Sequence, residues 1–184
     1  MKKIILFNMM TLDGFFEGPE KEIDWHNVDE EFNDFAIGQL DEASLLIFGR
    51  ITYQLMAGYW PTEDAVKNDP VVAAKMNSIP KVVFSNLLVR TDWNNTILRK
   101  GNVSEVVGEL KKEYDKDIFI FGSGNLAMSL ASKNLIDEYR IMVNPVLLGR
   151  GNPLFRALPG KINLKLISTK VFRSGNVLLC YEPS

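Results

Sequence analysis

The sequence predicts an α/β protein: a central, mostly parallel sheet with helices on both faces and an antiparallel hairpin at its C-terminal end. Three observations predict it. Short apolar runs of strand length alternate with stretches of helical periodicity, the pattern of βαβ crossovers. The strand-like runs are continuously apolar, as strands buried on both faces are. Finally, from residue 163 onward two strand-like runs flank one short polar turn.

Residues 3–9 form the first apolar run, and Asp13-Gly14 and Gly18-Pro19 interrupt the chain beyond it. Over residues 29–43, Phe32, Phe35, Ala36 and Leu40 recur at helical spacing among acids. Residues 45–48 read as a short strand ending at Gly49, with a helix beginning near Thr52. Asp69 and Pro70 supply an N-cap and a first-turn proline for a helix reaching about Asn77. Residues 81–85 form another buried-type strand, and Asn102 with Glu105 fits a capping box for a helix to Tyr114. Residues 117–121 make a strand that turns through Gly122-Ser123-Gly124 into a helix through about Lys133. Residues 138–143 read as a strand stopped by Pro145, and residues 163–172 and 177–181 make the hairpin around Arg173-Ser174-Gly175-Asn176. With no repeat and no flexible linker, residues 1–184 read as one domain.

Composition excludes several function classes. Lys and Arg number 21 against 23 Asp and Glu, so there is no basic field for nucleic acid or for a membrane surface. One cysteine (Cys180) and one histidine (His26) are too few for a disulfide framework, a Cys/His zinc site or an iron–sulfur cluster. A Ser-His-Asp mechanism would have to use His26, which reads as a loop residue, and Cys180 reads as an inert strand thiol. No segment approaches the roughly 18 apolar residues of a membrane span. The N-terminal run breaks at Asn8 without a signal-peptide cleavage site, so the expected location is the cytoplasm.

Two places share one local design. At residues 46–52 and 120–126 a buried strand turns through glycine directly into a helix. Open α/β sheets bind ligands at the carboxyl ends of their strands, and a helix N-terminus presents unpaired N–H groups that suit phosphate. Gly49 and Gly122 allow close approach, Thr52 and Ser123 add hydroxyls, and Arg50 adds a forked cation. Singly, either glycine reads equally well as a tight turn and Arg50 as a solvated charge. Together, two anion sites on one sheet point to a dinucleotide. Gly122-Ser123-Gly124-Asn125-Leu126-Ala127 also fits the Rossmann fingerprint, but it comes late in the chain and lacks the acid about 20 residues on. A standard Rossmann domain is therefore not expected.

Five motifs in this order resemble the dihydrofolate reductase-like superfamily, most nearly the branch holding the reductase domain of bacterial riboflavin biosynthesis. They are Thr11-Leu12-Asp13-Gly14, Phe48-Gly49-Arg50-Ile51-Thr52, Lys81-Val82-Val83-Phe84-Ser85, Phe121-Gly122-Ser123-Gly124, and Leu135-Ile136-Asp137-Glu138-Tyr139 with Pro145-Val146-Leu147-Leu148-Gly149-Arg150-Gly151. The resemblance implies a three-layer dihydrofolate reductase-like fold and an NADPH-dependent reductase. By that likeness Arg50 meets the adenosine 2′-phosphate, and Ser85 contacts the adenosine portion. Thr52, Gly122, Ser123, Gly124, Asn125 and Leu126 hold the pyrophosphate, while Asp13 and Gly14 lie beside the nicotinamide. A homodimer is also implied. The 135–151 stretch reads as structural, with Asp137 and Glu138 in ion pairs or at a strand edge.

The departures bear on the substrate. The riboflavin reductases carry a Glu immediately before the glycine pair, where this chain has Phe121, and the deaminase half usually fused to them has no counterpart. Dihydrofolate reductases proper place a carboxylate on the first helix shortly after a Trp. Here Trp25 precedes Asp29, Glu30 and Glu31. Asp29 and Glu31 are candidate proton donors on that likeness, with Asp13 as a rival; their plainer readings are helix-dipole acids and an Asp-Gly turn. Gly14, Phe16, Trp25 and Tyr53, with Phe15, Tyr59 and Trp60, are expected to line a flat aromatic slot, or else to serve the core or a dimer contact. The expected activity is reduction of a C=N or C=O bond in a pterin-like or pyrimidine-like small molecule. The alternative is a non-catalytic nucleotide-binding or interaction protein on the same fold.

Overall fold

A computed structural model describes residues 2–184. In chain order, β1 (Ile4–Thr11) and β2 (Phe15–Glu17) precede α1 (Glu30–Glu42), β3 (Ala43–Gly49) and α2 (Arg50–Tyr59). Next come α3 (Glu63–Asn68), α4 (Pro70–Ser78), β4 (Lys81–Phe84), β5 (Thr96–Arg99) and α5 (Val103–Glu113). The chain ends with β6 (Asp117–Phe121), α6 (Gly124–Ala131), β7 (Glu138–Asn144), β8 (Asn152–Pro153), β9 (Leu164–Val171) and β10 (Val177–Pro183).

Eight strands form one sheet in the order β5-β4-β3-β6-β1-β7-β10-β9. Every pairing from β5 to β7 is parallel, and β10 runs antiparallel to both β7 and β9. The expected α/β class, mostly parallel sheet and terminal hairpin are all present. β2 and β8 make a separate two-stranded ribbon.

Strand alternation sorts the apolar residues to two faces. On one face Ile4, Leu6, Ile47, Ile118 and Ile120 pack with Val107 and Leu110 of α5 and Leu126 and Leu130 of α6. On the other, Ile5, Leu46, Phe48 and Phe119 pack with Leu40 of α1, Tyr53 of α2, and Val72 and Met76 of α4. Farther along that second face Phe7, Met9, Met142, Phe172 and Leu178 meet Phe32 and Phe35 of α1. Each such side chain taken from water stabilises the fold by about 1.5–3 kcal/mol.

Several boundaries differ from expectation for local reasons. α2 begins at Arg50, directly against Gly49, rather than near Thr52. Asp69 precedes Pro70 but makes no cap bond, because its carboxylate accepts from Asn33 Nδ2 of α1 at 2.8 Å. Asn102 caps α5 through the Ser104 N–H, while Glu105 bonds the Asn102 side chain instead of completing a box. α6 stops at Ala131 because Asn134 turns left-handed and the Leu135 N–H reaches back to Leu130. At the amino ends of β1 and β7 Asp137 binds Lys111, and Glu138 binds Lys3 and Arg140 at 2.7 Å each, the expected ion pairs. Among the described residues no helix is long and apolar enough to cross a membrane, and no cluster of His, Cys, Asp and Glu is placed to hold a metal.

Candidate functional site

β3 and β6 are neighbours, and the chain leaves their carboxyl ends toward opposite faces of the sheet. α2 packs its Tyr53 into one face, and α6 packs Leu126 and Leu130 into the other. This is a switch point of the sheet, where open α/β folds hold ligands. The two turns touch. A Cβ on Gly49 would lie 1.9 Å from Ser123 Oγ, and one on Gly122 would lie 3.1 Å from both Oγ1 and Cγ2 of Thr52. A Cβ on Gly124 would stand 3.0 Å from the Phe16 ring. Gly122 and Ser123 both take left-handed backbone, at φ 64° and 65°. For Ser123 that conformation is strained, and such strain concentrates at functional sites.

The helix starts differ in their electrostatics. α1, α3 and α5 are capped by the side chains of Asp29, Thr62 and Asn102, and each has acid in its first turn. α4 starts at a proline without a cap or a first-turn acid, and α2 and α6, which start side by side beyond β3 and β6, likewise have neither. Their first N–H groups and the positive ends of two dipoles therefore converge without a partner from their own helices. Arg50 stands at the first position of α2, where a cation repels the dipole unless an anion joins it. Its Nη1 donates to Gln54 at 3.0 Å, which leaves the rest of the guanidinium fork free of side-chain bonds.

A cleft of about 210 Å³ opens beside these turns, lined by Phe16, Thr52, Ser123, Gly124 and Asn125 from the expected set. It also holds Glu17, Lys21, Asn152, Leu154 and Arg156, which the sequence reading missed. Arg156 donates to Asn125 Oδ1 at 3.2 Å, and Asn152 Nδ2 donates to the Glu17 carboxylate at 3.0 Å and to the Gly18 carbonyl. Glu17 is thus tied down, while Lys21 and Arg156 bring positive charge to the rim. The signal for these residues was the Gly149–Gly151 stretch: bare of side chain, Gly151 lets β8 press on β2, where a Cβ would meet the Glu17 carbonyl at 2.6 Å. The 135–151 stretch itself lies outside the lining; the residues just beyond it, Asn152, Pro153 and Leu154, form one wall of the cleft.

The remaining expected residues divide. Leu126 buries its side chain in the core and offers only its N–H to the turn. Ser85 lies just beyond β4, which stops at Phe84 rather than at 85, and its hydroxyl oxygen accepts from the N–H groups of Leu87 and Leu88. Gly14, at φ 91°, closes the turn after β1 onto the Thr11 carbonyl. Trp25 packs on the cluster around Phe7 and Met9, edge-on to His26, and its buried Nε1 has no partner. Tyr53 lies away from the cleft: it is 4% exposed, stacks near Trp93, and its hydroxyl accepts from the backbone of Asp92 and Trp93. Tyr53 is a core residue, because α2 turns that face inward.

The three candidate acids are all engaged in structure. Asp29 accepts from the Phe32 N–H as the cap of α1. Glu31 accepts from the Arg173 N–H at 2.9 Å and faces Lys170 and Arg173, which hold its carboxyl below the usual range. Asp13 is exposed and accepts from Thr11 Oγ1 at 2.6 Å and the Gly149 N–H at 2.7 Å, and these bonds lower its pKa. An acid held ionised in this way is a poor proton donor at neutral pH. At Phe121 the ring meets Phe7 edge-on at 6.0 Å, so an apolar contact occupies the position of the family's Glu.

The donors suit a phosphate-bearing ligand, while Arg50 stands at the start of α2 outside the residues that line the cleft. Two uncapped helix starts meet, glycines keep side chains out of the gap, and cations stand at the rim. The RibD C-terminal domain family matches residues 2–178 of the chain. An uncharacterized protein of Bacillus subtilis (strain 168), YyaP, is 35% identical over 183 residues, covering 98% of this chain and 95% of the relative. Among solved structures, a putative riboflavin biosynthesis protein from Shewanella sp. PV-4 is similar at 23% identity and a TM-score of 0.77, over 99% of both chains. A dihydrofolate reductase from Enterococcus faecalis complexed with NADP(H) is similar at 14% identity and a TM-score of 0.67, over 99% of this chain and 96% of that one. These two structural likenesses establish the dihydrofolate reductase-like fold.

Proposed function

The chain belongs to the RibD C-terminal domain family, and from that premise we propose that it is a reductase that uses NADPH to reduce a C=N or C=O bond in a flat, pterin-like or pyrimidine-like molecule. One observation carries the reading: two uncapped helix starts meet at a switch point of the sheet through side-chain-free glycines. The N–H groups of Gly124, Asn125 and Leu126, with the hydroxyls of Thr52 and Ser123, would hold the diphosphate. Arg50 would pair with the 2′-phosphate. When bound, the nicotinamide would supply a hydride, so the protein needs no nucleophile or metal of its own. Its residues bind and orient, and Phe16 and the β2–β8 ribbon screen the cleft from water.

Calorimetry tests the reading. Wild-type protein is expected to bind NADPH more tightly than NADH, and Arg50→Ala to lose about 10- to 100-fold in NADPH affinity, the size of a lost charge-assisted bond, with little change for NADH. Absence of NADPH binding would sink the proposal. Substrate is then sought by following NADPH oxidation with dihydrofolate and other pterins and pyrimidines. Phe121 argues against the phosphoribosylated pyrimidine, since no carboxylate stands before the glycine pair. The engagement of Asp13, Asp29 and Glu31 favours a second reading, dinucleotide binding without turnover. NADPH binding with no oxidation across the panel would select it.

The same reading includes a homodimer. Every residue of the edge strand β9 is exposed, and Leu164 lines an apolar groove of about 280 Å³ with Ile141, Leu179 and Tyr181, next to Leu166 opposite Tyr181. Sedimentation of Leu166→Lys, expected to be monomeric, checks it; a wild type that stays monomeric at all concentrations removes this part.

A further inference from the structure

One wall of the cleft is not part of the main sheet. It is the ribbon of β2, three residues long, and β8, two residues long, which pair only with each other. Strands this short do not hold their own place in water. Their place nevertheless shapes the cleft. The Phe16 ring of β2 stands where a Cβ on Gly124 would lie 3.0 Å from it, and Glu17, Asn152 and Leu154 line the same space. A fastening outside the ribbon is needed to set its distance from the start of α6.

That fastening runs back to the sheet through Asp13. Thr11, the last residue of β1, is 1% exposed, so the core fixes its hydroxyl. The hydroxyl accepts from the Phe15 N–H at 2.9 Å, which places the first residue of β2, and donates to Asp13 Oδ1 at 2.6 Å. Asp13 Oδ2 accepts from the Gly149 N–H at 2.7 Å. Gly149 holds φ 73°, a backbone that glycine adopts without strain. Two residues on, Gly151 is pressed against the Glu17 carbonyl, and β8 follows. One carboxylate thus joins the buried end of β1 to the approaches of both ribbon strands. Among the described residues Asp13 forms no ion pair, although it is exposed and accepts two hydrogen bonds. Its bonds serve joining rather than charge neutralisation.

We propose that Asp13 is a positioning residue, whose carboxylate clasps the β2–β8 ribbon to the end of β1 and so sets one wall of the cleft against the start of α6. This rests on the reading of the cleft as an NADPH site. It adds a cause for the shape of that site outside its own lining, to which neither Asp13 nor Gly149 belongs. A ligand on the two turns binds the fraction of molecules whose wall is in place, so slackening the clasp weakens every ligand of the cleft alike.

The test compares Asp13→Ala, which deletes both acceptors, with Asp13→Asn, which keeps the size and one acceptor. By calorimetry Asp13→Ala is expected to lose about 10-fold in affinity for NADPH and for NADH alike, with Asp13→Asn between it and wild type. Amide hydrogen exchange over residues 150–154 should quicken by about 10-fold in Asp13→Ala. Asn102→Ala, which removes the cap of α5 and so weakens the fold elsewhere, should change neither readout. Unchanged or higher NADPH affinity in Asp13→Ala overturns the proposal and leaves the cleft assignment intact. A loss confined to NADPH also overturns it, as does a loss without faster exchange in the ribbon. A loss shared by Asn102→Ala does the same, because affinity would then follow the stability of the whole chain. A wild type that binds neither nucleotide removes the cleft assignment and this proposal together.

Discussion

Replacing Gly49 with alanine should separate the two turns that build the cleft. The backbone of Gly49, at φ −82° and ψ 166°, accepts any residue, so the effect comes from space alone. The added carbon would stand 1.9 Å from Ser123 Oγ and 3.0 Å from Ser123 Cβ, where ordinary contact begins near 3.4 Å. Rotating the Ser123 hydroxyl removes the first clash but not the second. Overpacking of this kind costs about 1–3 kcal/mol. In a chain of this length that lowers the melting temperature by about 2–4 °C per kcal/mol. Ser123→Gly removes both offending atoms and relieves a left-handed backbone, a gain of about 1 kcal/mol that the extra freedom of glycine partly offsets. The double variant should therefore recover most of what Gly49→Ala loses, with a coupling energy of about 1–3 kcal/mol in a urea-unfolding cycle. NADPH affinity should fall in Gly49→Ala and return in part in the double variant. Additive energies, or a Gly49→Ala protein as stable as wild type, would refute the contact between the turns.

Two further outcomes follow from buried polar groups. Burial pushes the His26 imidazole down to about 4 from 6.5, so between those values the unfolded chain takes up a proton that the folded chain does not. Stability should fall by about 2–3 kcal/mol as pH drops from about 6.5 to about 4 and stay level just above that window; urea midpoints of His26→Gln should lack the slope, and parallel curves would contradict it. Lys81, 1% exposed, donates to the carbonyls of Met76, Asn77 and Ile79 at the end of α4. Lys81→Met should destabilise by about 2–4 kcal/mol by stranding those carbonyls, and NADPH affinity should not change because Lys81 opens β4 at the end away from the cleft. A stabilised variant would show that the ammonium's desolvation outweighs its bonds.

The parallel sheet was legible because its strands are buried on both faces and therefore apolar throughout, as in Leu45 to Phe48 and Ile118 to Phe121. β5 was not legible: an edge strand of four residues alternates exposure and carries too few apolar positions to stand out. α3, six residues with Ala65 alone buried, gives no helical period. The glycine turns were readable at the site because strand, glycine and helix adjoin in sequence. Lys21, Asn152 and Arg156 were not, because they reach the cleft only through the pairing of β2 with β8, which no local pattern announces. Tyr53 misled for a related reason. Proximity to Arg50 and Thr52 in sequence placed it at the site, but helical rotation turns it into the core beside Trp93.

Two features at the carboxyl edge of the sheet work against stability. Ser123 holds a left-handed backbone, and Arg50 sits at the positive end of a helix dipole. Each disfavours the folded chain by an amount from a few tenths to about 3 kcal/mol, and each is removable by one substitution. Elsewhere the chain often supplies a partner, although the start of α4 is uncapped and buried polar atoms of Trp25, His26, Ser104, Ser174 and Asn176 have none. Asp29, Thr62 and Asn102 cap their helices, and the buried Glu138 is paired with Lys3 and Arg140. What distinguishes the switch point is that two such features stand together beside glycines that keep side chains out of the gap. A bound anion would offset both, because it would pair with Arg50 and with the free N–H groups of the two helix starts.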